Sequence, residues 1–591
     1  MRNALTTAML VAVFCVANSM AYKTSNPLKT KQGYLRFDSK PAKMLSITKD
    51  AQKYLDEKIA DIVKIPTAKK TFSNTIFALE SAMGEFDDRT LTLLMAADYG
   101  VTQPIRDAGG KVISIREKYM VDTFMRGDLY GALKSYLDKK PKLTKSQKHV
   151  TDKIMYQFEK NGLNLSPEKQ AEFKKIIGEI IDFQIVFNAN LNKAKAYVNL
   201  DKSEVKYLKG ALKDKLIEDG GKYKVDITMR PVYFSFLQTF PIQKRREEAE
   251  RNFVGNGGTK NVRILEKVVA LRSKLAKLLG YKTYADYALK SKMAKTTKNA
   301  MDFVSGLTTK LKIKAAMDDD KFLKVKREMT GDNLAVTLNE WDWGYYADQY
   351  KKKSLNVDMA KVREYFPTYQ TIRKSLDMFG RLFGVKFEKA NIPLPHPDVL
   401  AYRVKENGKV TGYLYMDLFA RDGKYTHAQC EHMISYRRLE DGSYQKPVAF
   451  LMFTVDKTTV DLEEISSFYH EFGHAIHGLF SKSPYGYYGR SFYAAHDFIE
   501  VPSMMSENWL TSPQVVKYLS GHYKTGKQLS DAMIQRVMEA QQIGIGHSYQ
   551  WFATQDMFDL VIHTSDKIDA NKVFADVHEK VKGRKAVKGN K

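Results

Sequence analysis

The sequence predicts a mainly α-helical protein with one small β-sheet, placed directly before the segment that carries its chemistry. Apolar residues recur at helical spacing over most of the chain, for example in residues 260–277, 302–324 and 531–559. Strand patterns instead cluster between Tyr402 and Val455. The length of 591 residues predicts two or more lobes, because single cores stop growing near about 300 residues.

The composition excludes several classes of protein. With 43% hydrophobic residues the chain can bury a large core, and two cysteines exclude a disulfide scaffold or a cysteine-rich metal cluster. A mean hydropathy of −0.42 argues against a polytopic membrane protein. The net charge of +27 attracts anions. Because the lysines are scattered and not interleaved with aromatic residues, we predict a solvated basic surface and no nucleic-acid partner.

Residues 1–21 have the pattern of an export signal. Arg2 supplies the positive start, an apolar stretch covers residues 8–17, and Ser19 and Ala21 are the small residues of a cleavage site. The apolar stretch is about half of the ~20 residues that span a bilayer, so a membrane anchor or an ordinary first helix is the less favoured interpretation. We therefore expect a secreted or periplasmic protein, without stable membrane insertion after cleavage, that retains Cys430 but not Cys15.

The first clear helix start is at Ser166, an N-cap residue followed by Pro167 at the first helical position. Further along, residues 412–419 and 448–455 are continuous apolar runs with β-forming residues, and Asp441 and Gly442 form a turn signal between them. These patterns predict a helix from about residue 167 and two strands of a small sheet.

The segment after the second strand predicts an amphipathic helix with two histidines on one side. Asp461 and Glu464 form a capping-box pattern, and a stripe of apolar residues follows at steps of three and four. His470 and His474 lie one turn apart, so both rings can point at one ion, whereas Glu471 lies about 100° round the helix. Such a glutamate can reach a water bound to that ion.

This arrangement suits a catalytic zinc ion. Zinc takes neutral imidazoles at ~2.0–2.1 Å and keeps one position open for a water whose pKa it lowers, while a carboxylate takes the proton. A third ligand is required. His477 lies roughly 10 Å along the helix axis from His470, so we interpret it as a packing or supporting residue. Spacing alone leaves His496, Asp497 and Glu500 as candidates.

Two motifs resemble the thimet oligopeptidase/neurolysin family of zinc peptidases, which includes dipeptidyl carboxypeptidases and oligopeptidase A. Residues 468–477 match F-x-H-E-F-G-H-x-x-H, and residues 497–509 match D-F-x-E-V-P-S-x-x-x-E-N-W. The resemblance covers most of the chain and is weakest before residue 230. It implies a bilobed, neurolysin-like helical shell with a deep channel, an N-terminal helical region at 22–230 and a catalytic region at 231–591.

The resemblance also implies roles for individual residues. It makes His470, His474 and Glu500 the ligands of one Zn²⁺ and Glu471 the general base of peptide hydrolysis, in a monomer that cleaves short oligopeptides as an endopeptidase or a peptidyl-dipeptidase. Supporting or substrate-binding residues would come from the set His427, His477, Asp497 and Glu507. We further expect residues 448–455 to pair with an extended peptide and residues 485–489 to form a mobile loop.

One departure from the family concerns the C-terminus. In the family, a segment resembling F-G-H-x-x-x-G-Y-x-x-x-Y-Y-x-Y supplies residues that hold the oxyanion and the substrate. Residues 558–563 resemble the helix before that segment, and the chain stops at Lys591, so the resemblance implies a truncated catalytic region. Losing an oxyanion donor costs about 10²–10³ in turnover. The alternative function is therefore a zinc-containing peptide-binding protein of the same fold with impaired catalysis.

Overall fold

The computed structural model describes residues 29, 33–37, 40–425, 427–439 and 441–586. The predicted export signal and Cys15 lie outside these residues. Helices dominate the described chain. In chain order they are α1 (Pro41–Lys64), α2 (Ile76–Leu94), α3 (Ala96–Tyr99), α4 (Gln103–Phe124), α5 (Gly127–Leu137), α6 (Lys145–Lys160), α7 (Pro167–Lys193), α8 (Arg230–Thr239), α9 (Gln243–Val254), α10 (Gly258–Leu278), α11 (Tyr284–Leu289), α12 (Thr297–Thr330), α13 (Trp343–Ser354), α14 (Met359–Arg363), α15 (Thr368–Phe383), α16 (Leu462–Leu479), α17 (Val501–Glu507), α18 (Pro513–Leu519), α19 (Asp531–Gln542), α20 (Ile545–Ile562) and α21 (Ala570–Lys582).

The strands form two small sheets and one short hairpin. In chain order they are β1 (Tyr197–Leu200), β2 (Leu216–Asp219), β3 (Lys222–Asp226), β4 (Val385–Lys389), β5 (Leu400–Glu406), β6 (Lys409–Phe419), β7 (Gln429–Ile434), β8 (Arg437–Arg438), β9 (Tyr444–Gln445) and β10 (Val448–Val455). The prediction of a mainly α-helical chain with a small sheet before the histidine helix is confirmed. The predicted helix start at Pro167 and both predicted strands are also present.

The chain divides into two compact units. The first contains the described residues up to Ser166 together with Met359–Ser530, and the second contains Pro167–Asp358 together with the described residues from Asp531 onward. The predicted boundary between an N-terminal and a catalytic region at residue 230 stays a prediction. Near it, Val225 and Ile227 share a hydrophobic core with Val232 and Phe236. The predicted channel stays a prediction.

The sheet of the first unit has the strand order β4-β5-β6-β10-β7. Its β10 strand runs parallel to β6, with Ala449 opposite Leu414, and antiparallel to β7, with Phe450 opposite Glu431. Seven of the eight residues of β10 are buried, so side chains on both faces of the strand are covered, which explains its almost unbroken apolar run. From Val448 to Met452 both edges of β10 are paired, so the expectation that this strand pairs with a peptide substrate is wrong there.

Helix α16 follows β10 and packs against β10 and β7. Its start is the predicted capping box: Glu464 N–H donates to Asp461 Oδ1 at 2.9 Å, and Asp461 N–H donates to Glu464 Oε2 at 2.8 Å. The Arg363 guanidinium contacts both carboxylates, at 2.9 Å and 2.8 Å. The capping box satisfies the N–H groups of Asp461 and Glu464, and the contacts of Arg363 hold both carboxylates at the start of the helix.

The second unit contains the antiparallel sheet β1-β3-β2 and two hydrophobic clusters. It also holds a fully buried ion pair in which Arg246 Nη2 lies 3.0 Å from Asp342 Oδ1, with Lys326 Nζ 3.1 Å from the other carboxylate oxygen. Such a charged group is tolerated in a core because each charge has partners. Among the helices in the described part of the chain, none combines the length and apolar character that crossing a membrane requires.

Candidate metal centre

The residues of the H-E-x-x-H motif lie in the middle of α16, a mostly buried helix. Tyr469 and Phe472 are fully buried and pack with Phe379 of α15. His474 is buried and His470 is partly exposed. The apolar stripe therefore anchors the helix, and its rotation presents both imidazoles on one side, as the spacing predicts.

Three donor atoms converge beside this helix. The Nε2 atoms of His470 and His474 each lie 3.1 Å from Oε2 of Glu500. All three donor atoms lie within 4.8 Å of one another, and the two rings are 5.0 Å apart and nearly perpendicular. Ligand atoms of a tetrahedral zinc ion, at ~2.0–2.2 Å from the metal, are separated by about 3.3–3.5 Å. The donor types and their spacing therefore fit a divalent transition-metal ion.

Glu500 reaches the histidines because two helices approach each other closely. Glu500 immediately precedes α17, and Ser503 Oγ in the first turn donates to Glu500 Oε2 at 2.9 Å. A Cβ atom at Gly473 would lie 2.6 Å from both Pro502 O and Ser503 Cα. The missing side chain at Gly473 thus lets the start of α17 lie directly on the backbone of α16, between the two histidine positions.

A second carboxylate supports His470. Glu507, the last residue of α17, has Oε1 2.7 Å from His470 Nδ1, and its Oε2 accepts a hydrogen bond from Ser466 Oγ at 3.1 Å. A carboxylate only accepts when ionised, so Nδ1 of His470 carries a proton that Glu507 holds. A metal that displaces the proton from Nε2 would then meet the tautomer that a ligand needs.

The carboxylates also shift the pKa of His470. Burial lowers the pKa of His470, but hydrogen bonds to Glu500 and Glu507 outweigh it and raise this pKa to about 10. Hydrogen bonds from His470 and His474 hold the pKa of Glu500 well below its usual range. The centre thus attracts positive charge, and a divalent cation competes there with protons.

The family model for peptidase family M3 matches residues 236–591. The chain belongs to this family. Its members are generally metal-dependent peptidases, and the resemblance predicted from the two motifs is confirmed. In this M3 chain the matched region contains the whole donor set, His470, His474 and Glu500, together with Glu507.

Three relatives of this M3 chain cover most of its length. It is 28% identical over 543 residues to the thimet-like oligopeptidase of Dictyostelium discoideum, covering 86% of this chain and 80% of that protein. It is 28% identical over 489 residues to saccharolysin of Saccharomyces cerevisiae, covering 78% of this chain and 68% of that protein. It is 26% identical over 467 residues to oligopeptidase A of Escherichia coli, covering 74% of this chain and 68% of that protein.

The other candidates from the sequence lie elsewhere. His477 is partly buried on α16, with its ring 6.2 Å from that of Phe498, and burial lowers its pKa. Asp497 and His496 are exposed in the turn before α17. His427 is exposed in the connection between β6 and β7, with its ring 5.3 Å from that of Tyr425. Of the three spacing-based candidates for the third ligand, the structure brings only Glu500 to both histidines.

The Gly/Tyr-rich segment, residues 485–489, is packed against the helices of the first unit. Glu80 of α2 is fully buried and accepts backbone N–H bonds from Gly486, Tyr487 and Tyr488 at 2.8–3.1 Å. Tyr487 is itself fully buried in the core that α1, α2 and α6 build. The expectation that this segment is a mobile loop does not agree with this packing. Glu80 lies far away in sequence, so no local pattern identifies it.

Sequence reasoning also missed the supporting hydroxyl groups and one histidine. Ser466 contacts Glu507, and Ser503 contacts Glu500. Helical spacing places each serine on the side of its helix that faces the centre, once His470 and Glu500 are taken as ligands. His432, on β7, contacts the backbone of His474. The only sequence signal for it is indirect: a glycine at position 478, in the last turn of a helix.

Proposed function

We propose that this M3 chain is a zinc-dependent hydrolase of peptide bonds in short oligopeptides. The observation that carries the proposal is the convergence of His470, His474 and Glu500, with the buried carboxylate of Glu471 next to the first of these residues. Two of the three relatives described above have oligopeptidase in their names, which supports this class of substrate.

The proposed ligands are Nε2 of His470, Nε2 of His474 and a carboxylate oxygen of Glu500. Three protein ligands with one open position are typical of catalytic zinc sites. A zinc ion held there supplies Lewis acidity, which lowers the pKa of a water in the open position and polarises the peptide carbonyl. Glu507 keeps the His470 ring in the required tautomer and orientation.

Glu471 is the proposed general base. Its carboxylate takes a proton from the attacking water as the water oxygen bonds to the carbonyl carbon, and it returns that proton to the departing nitrogen as the C–N bond breaks. The products are a carboxylate and an amine. Burial raises the pKa of Glu471, while His474 and His470 oppose this. A raised pKa makes the carboxylate a better proton acceptor and its acid form able to return the proton.

The test combines metal analysis with hydrolysis of an internally quenched short peptide. The purified protein should contain one zinc ion per chain, and a chelator should remove both the zinc and the hydrolysis. Glu471→Gln keeps the size of the side chain and should retain zinc while losing nearly all hydrolysis. Glu463→Gln is the matched control, because it makes the same change at an exposed glutamate of the same helix, and it should hydrolyse the peptide like the wild type.

Each outcome decides one part of the proposal. Unchanged hydrolysis by Glu471→Gln would remove Glu471 as the base. Absence of zinc from a folded protein that still cleaves peptides would remove the metal assignment. Stoichiometric zinc and measurable peptide affinity without cleavage by the wild type would support the impaired peptide-binding function instead.

A further inference from the structure

A buried histidine outside the donor set joins the two segments that carry the proposed ligands. His432 is 3% exposed on β7, and its Nε2 lies 3.0 Å from the carbonyl oxygen of His474. Its Nδ1 lies 2.7 Å from Ser491 Oγ. Since a carbonyl oxygen only accepts, Nε2 carries the proton and donates it, and Nδ1 accepts from the serine hydroxyl. Both ring nitrogens of His432 are thus satisfied in a single tautomer.

The ring of His432 lies directly on the backbone of α16 because position 478 has no side chain. A Cβ atom at Gly478 would lie 2.1 Å from both Cδ2 and Nε2 of His432. The backbone of Gly478 is helical and does not need a glycine for its dihedral angles. A glycine inside a helix costs about 1 kcal/mol relative to alanine, so close approach of the ring is the physical reason for a glycine here.

The segment on the other side of His432 leads to the third ligand. Arg490, which precedes Ser491, donates to the backbone carbonyl of His432, and its other amino group contacts Asp88 Oδ1 at 2.5 Å. Two hydrogen bonds therefore join His432 to this segment. Its ring nitrogen Nδ1 accepts from Ser491, and its backbone carbonyl accepts from Arg490. The chain then runs through a 3₁₀ turn (Ser491–Tyr493) and a second turn at residues 496–500 before it reaches α17.

We propose that His432 is a positioning residue that fixes the distance between the α16 ligands and the segment that carries Glu500. The proposal rests on the assignment of His474 and Glu500 as ligands in the proposed function. The ring nitrogens of His432 bond to the His474 carbonyl and the Ser491 hydroxyl, and not to a donor atom of the site. His432 acts through the His474 carbonyl and the Ser491 hydroxyl, so that the donor atoms are already converged before a cation binds.

The experiment compares zinc affinity with thermal stability in three variants. His432→Leu removes both hydrogen bonds while filling the space. Ser491→Ala removes only one of them, which keeps the test valid should the leucine variant fold poorly. His432→Gln places an amide N–H near the position of Nε2 and can restore the bond to His474. Zinc affinity is measured by competition with a chromophoric chelator, and the thermal midpoint is measured in the zinc-free state.

The matched control is Ser375→Ala. Ser375 of α15 is fully buried, and its Oγ lies 3.1 Å from the hydroxyl of Tyr469 on α16. This variant also removes a buried hydrogen bond to α16, but one that involves neither a ligand backbone nor the segment before Glu500. It should lower the thermal midpoint and leave zinc affinity unchanged.

His432→Leu should bind zinc about tenfold or more weakly, in the range for residues that orient metal ligands. Ser491→Ala should show a smaller loss, and His432→Gln should recover most of the affinity. Wild-type zinc affinity in both His432→Leu and Ser491→Ala, or an equal loss in Ser375→Ala, would overturn the positioning role while the proposed function stands. A wild-type protein that binds no zinc would overturn both.

Discussion

Gly473 of α16 lies against Ser503 of α17 so closely that a Cβ atom at Gly473 would be 2.6 Å from the Ser503 Cα atom. The obstacle is backbone, which cannot rotate away as a long side chain does. This contact fixes the start of α17, and therefore Glu500, relative to the two histidines. It accounts for the glycine between Glu471 and His474 in purely steric terms.

Gly473→Ala should therefore displace Glu500 rather than abolish folding. We expect hydrolysis of the quenched peptide to fall by about a hundredfold, as for a misplacement of roughly 1 Å near a reacting centre, together with a weaker zinc affinity. Gly131→Ala is the control, because a Cβ atom there meets nothing within 4 Å in its helix. Wild-type zinc affinity in Gly473→Ala would contradict the steric argument.

Glu507 should matter for metal affinity although it is not a proposed ligand. Glu507→Ala removes the acceptor of the His470 Nδ1 proton, so the ring loses its orientation and tautomer, and zinc affinity should fall about 10–100-fold. Glu507→Gln keeps an acceptor oxygen and should lose less. The comparison variant Ser466→Ala removes only a hydroxyl donor to Glu507, leaves the bond between Glu507 and His470 in place, and should change the affinity least. Competition with a chelator measures all three.

The effect of Gly478→Ala on the free energy of unfolding should change sign when His432 is also replaced, in a double-mutant cycle. In the wild type, Gly478→Ala forces a Cβ atom into the His432 ring and should lower the free energy of unfolding by about 1–3 kcal/mol. In a His432→Ala background the obstacle is gone, and the same substitution should raise stability by up to about 1 kcal/mol through helix propensity. Thermal or urea unfolding measures both. Equal effects in the two backgrounds would show that the ring and Gly478 are not coupled.

Glu80 should make the stability of the first unit depend on pH. Burial raises the pKa of its carboxyl from 4.5 to about 7, although three backbone N–H groups and Arg437 oppose this. Between these values the folded state holds a proton that the unfolded state has released. The contribution of this proton to the free energy of unfolding is therefore fully present below pH 4.5 and is lost as pH rises towards about 7. The amount lost is on the order of 3 kcal/mol.

Glu80→Gln cannot ionise and should lose this component of the pH dependence. The thermal midpoint of the wild type relative to the variant should fall as pH rises from 4.5 to about 7 and then level off. Using the difference between the two proteins cancels the contributions of other buried acids, such as Glu431, whose pKa burial also raises to about 7. A difference that stays constant over this range would exclude titration of Glu80.

Local patterns determined the elements that carry the chemistry. The capping box at Asp461, the apolar stripe that follows and the one-turn spacing of His470 and His474 depend on residues within one helix, where the 3.6-residue period decides which side chains share a face. The two strands at 412–419 and 448–455 follow from their apolar runs in the same way. These parts of the fold and of the candidate site were therefore predictable from the sequence alone.

Contacts between distant segments decided the rest. Spacing could not choose among His496, Asp497 and Glu500, because the choice depends on how α17 crosses α16 at Gly473. Three other contacts also join segments far apart in the chain. Strand β10 lies between two strands, buried Glu80 accepts from the backbone of residues 486–488, and His432 packs against Gly478. Such contacts are set by packing in three dimensions, which no pattern along one segment of sequence encodes.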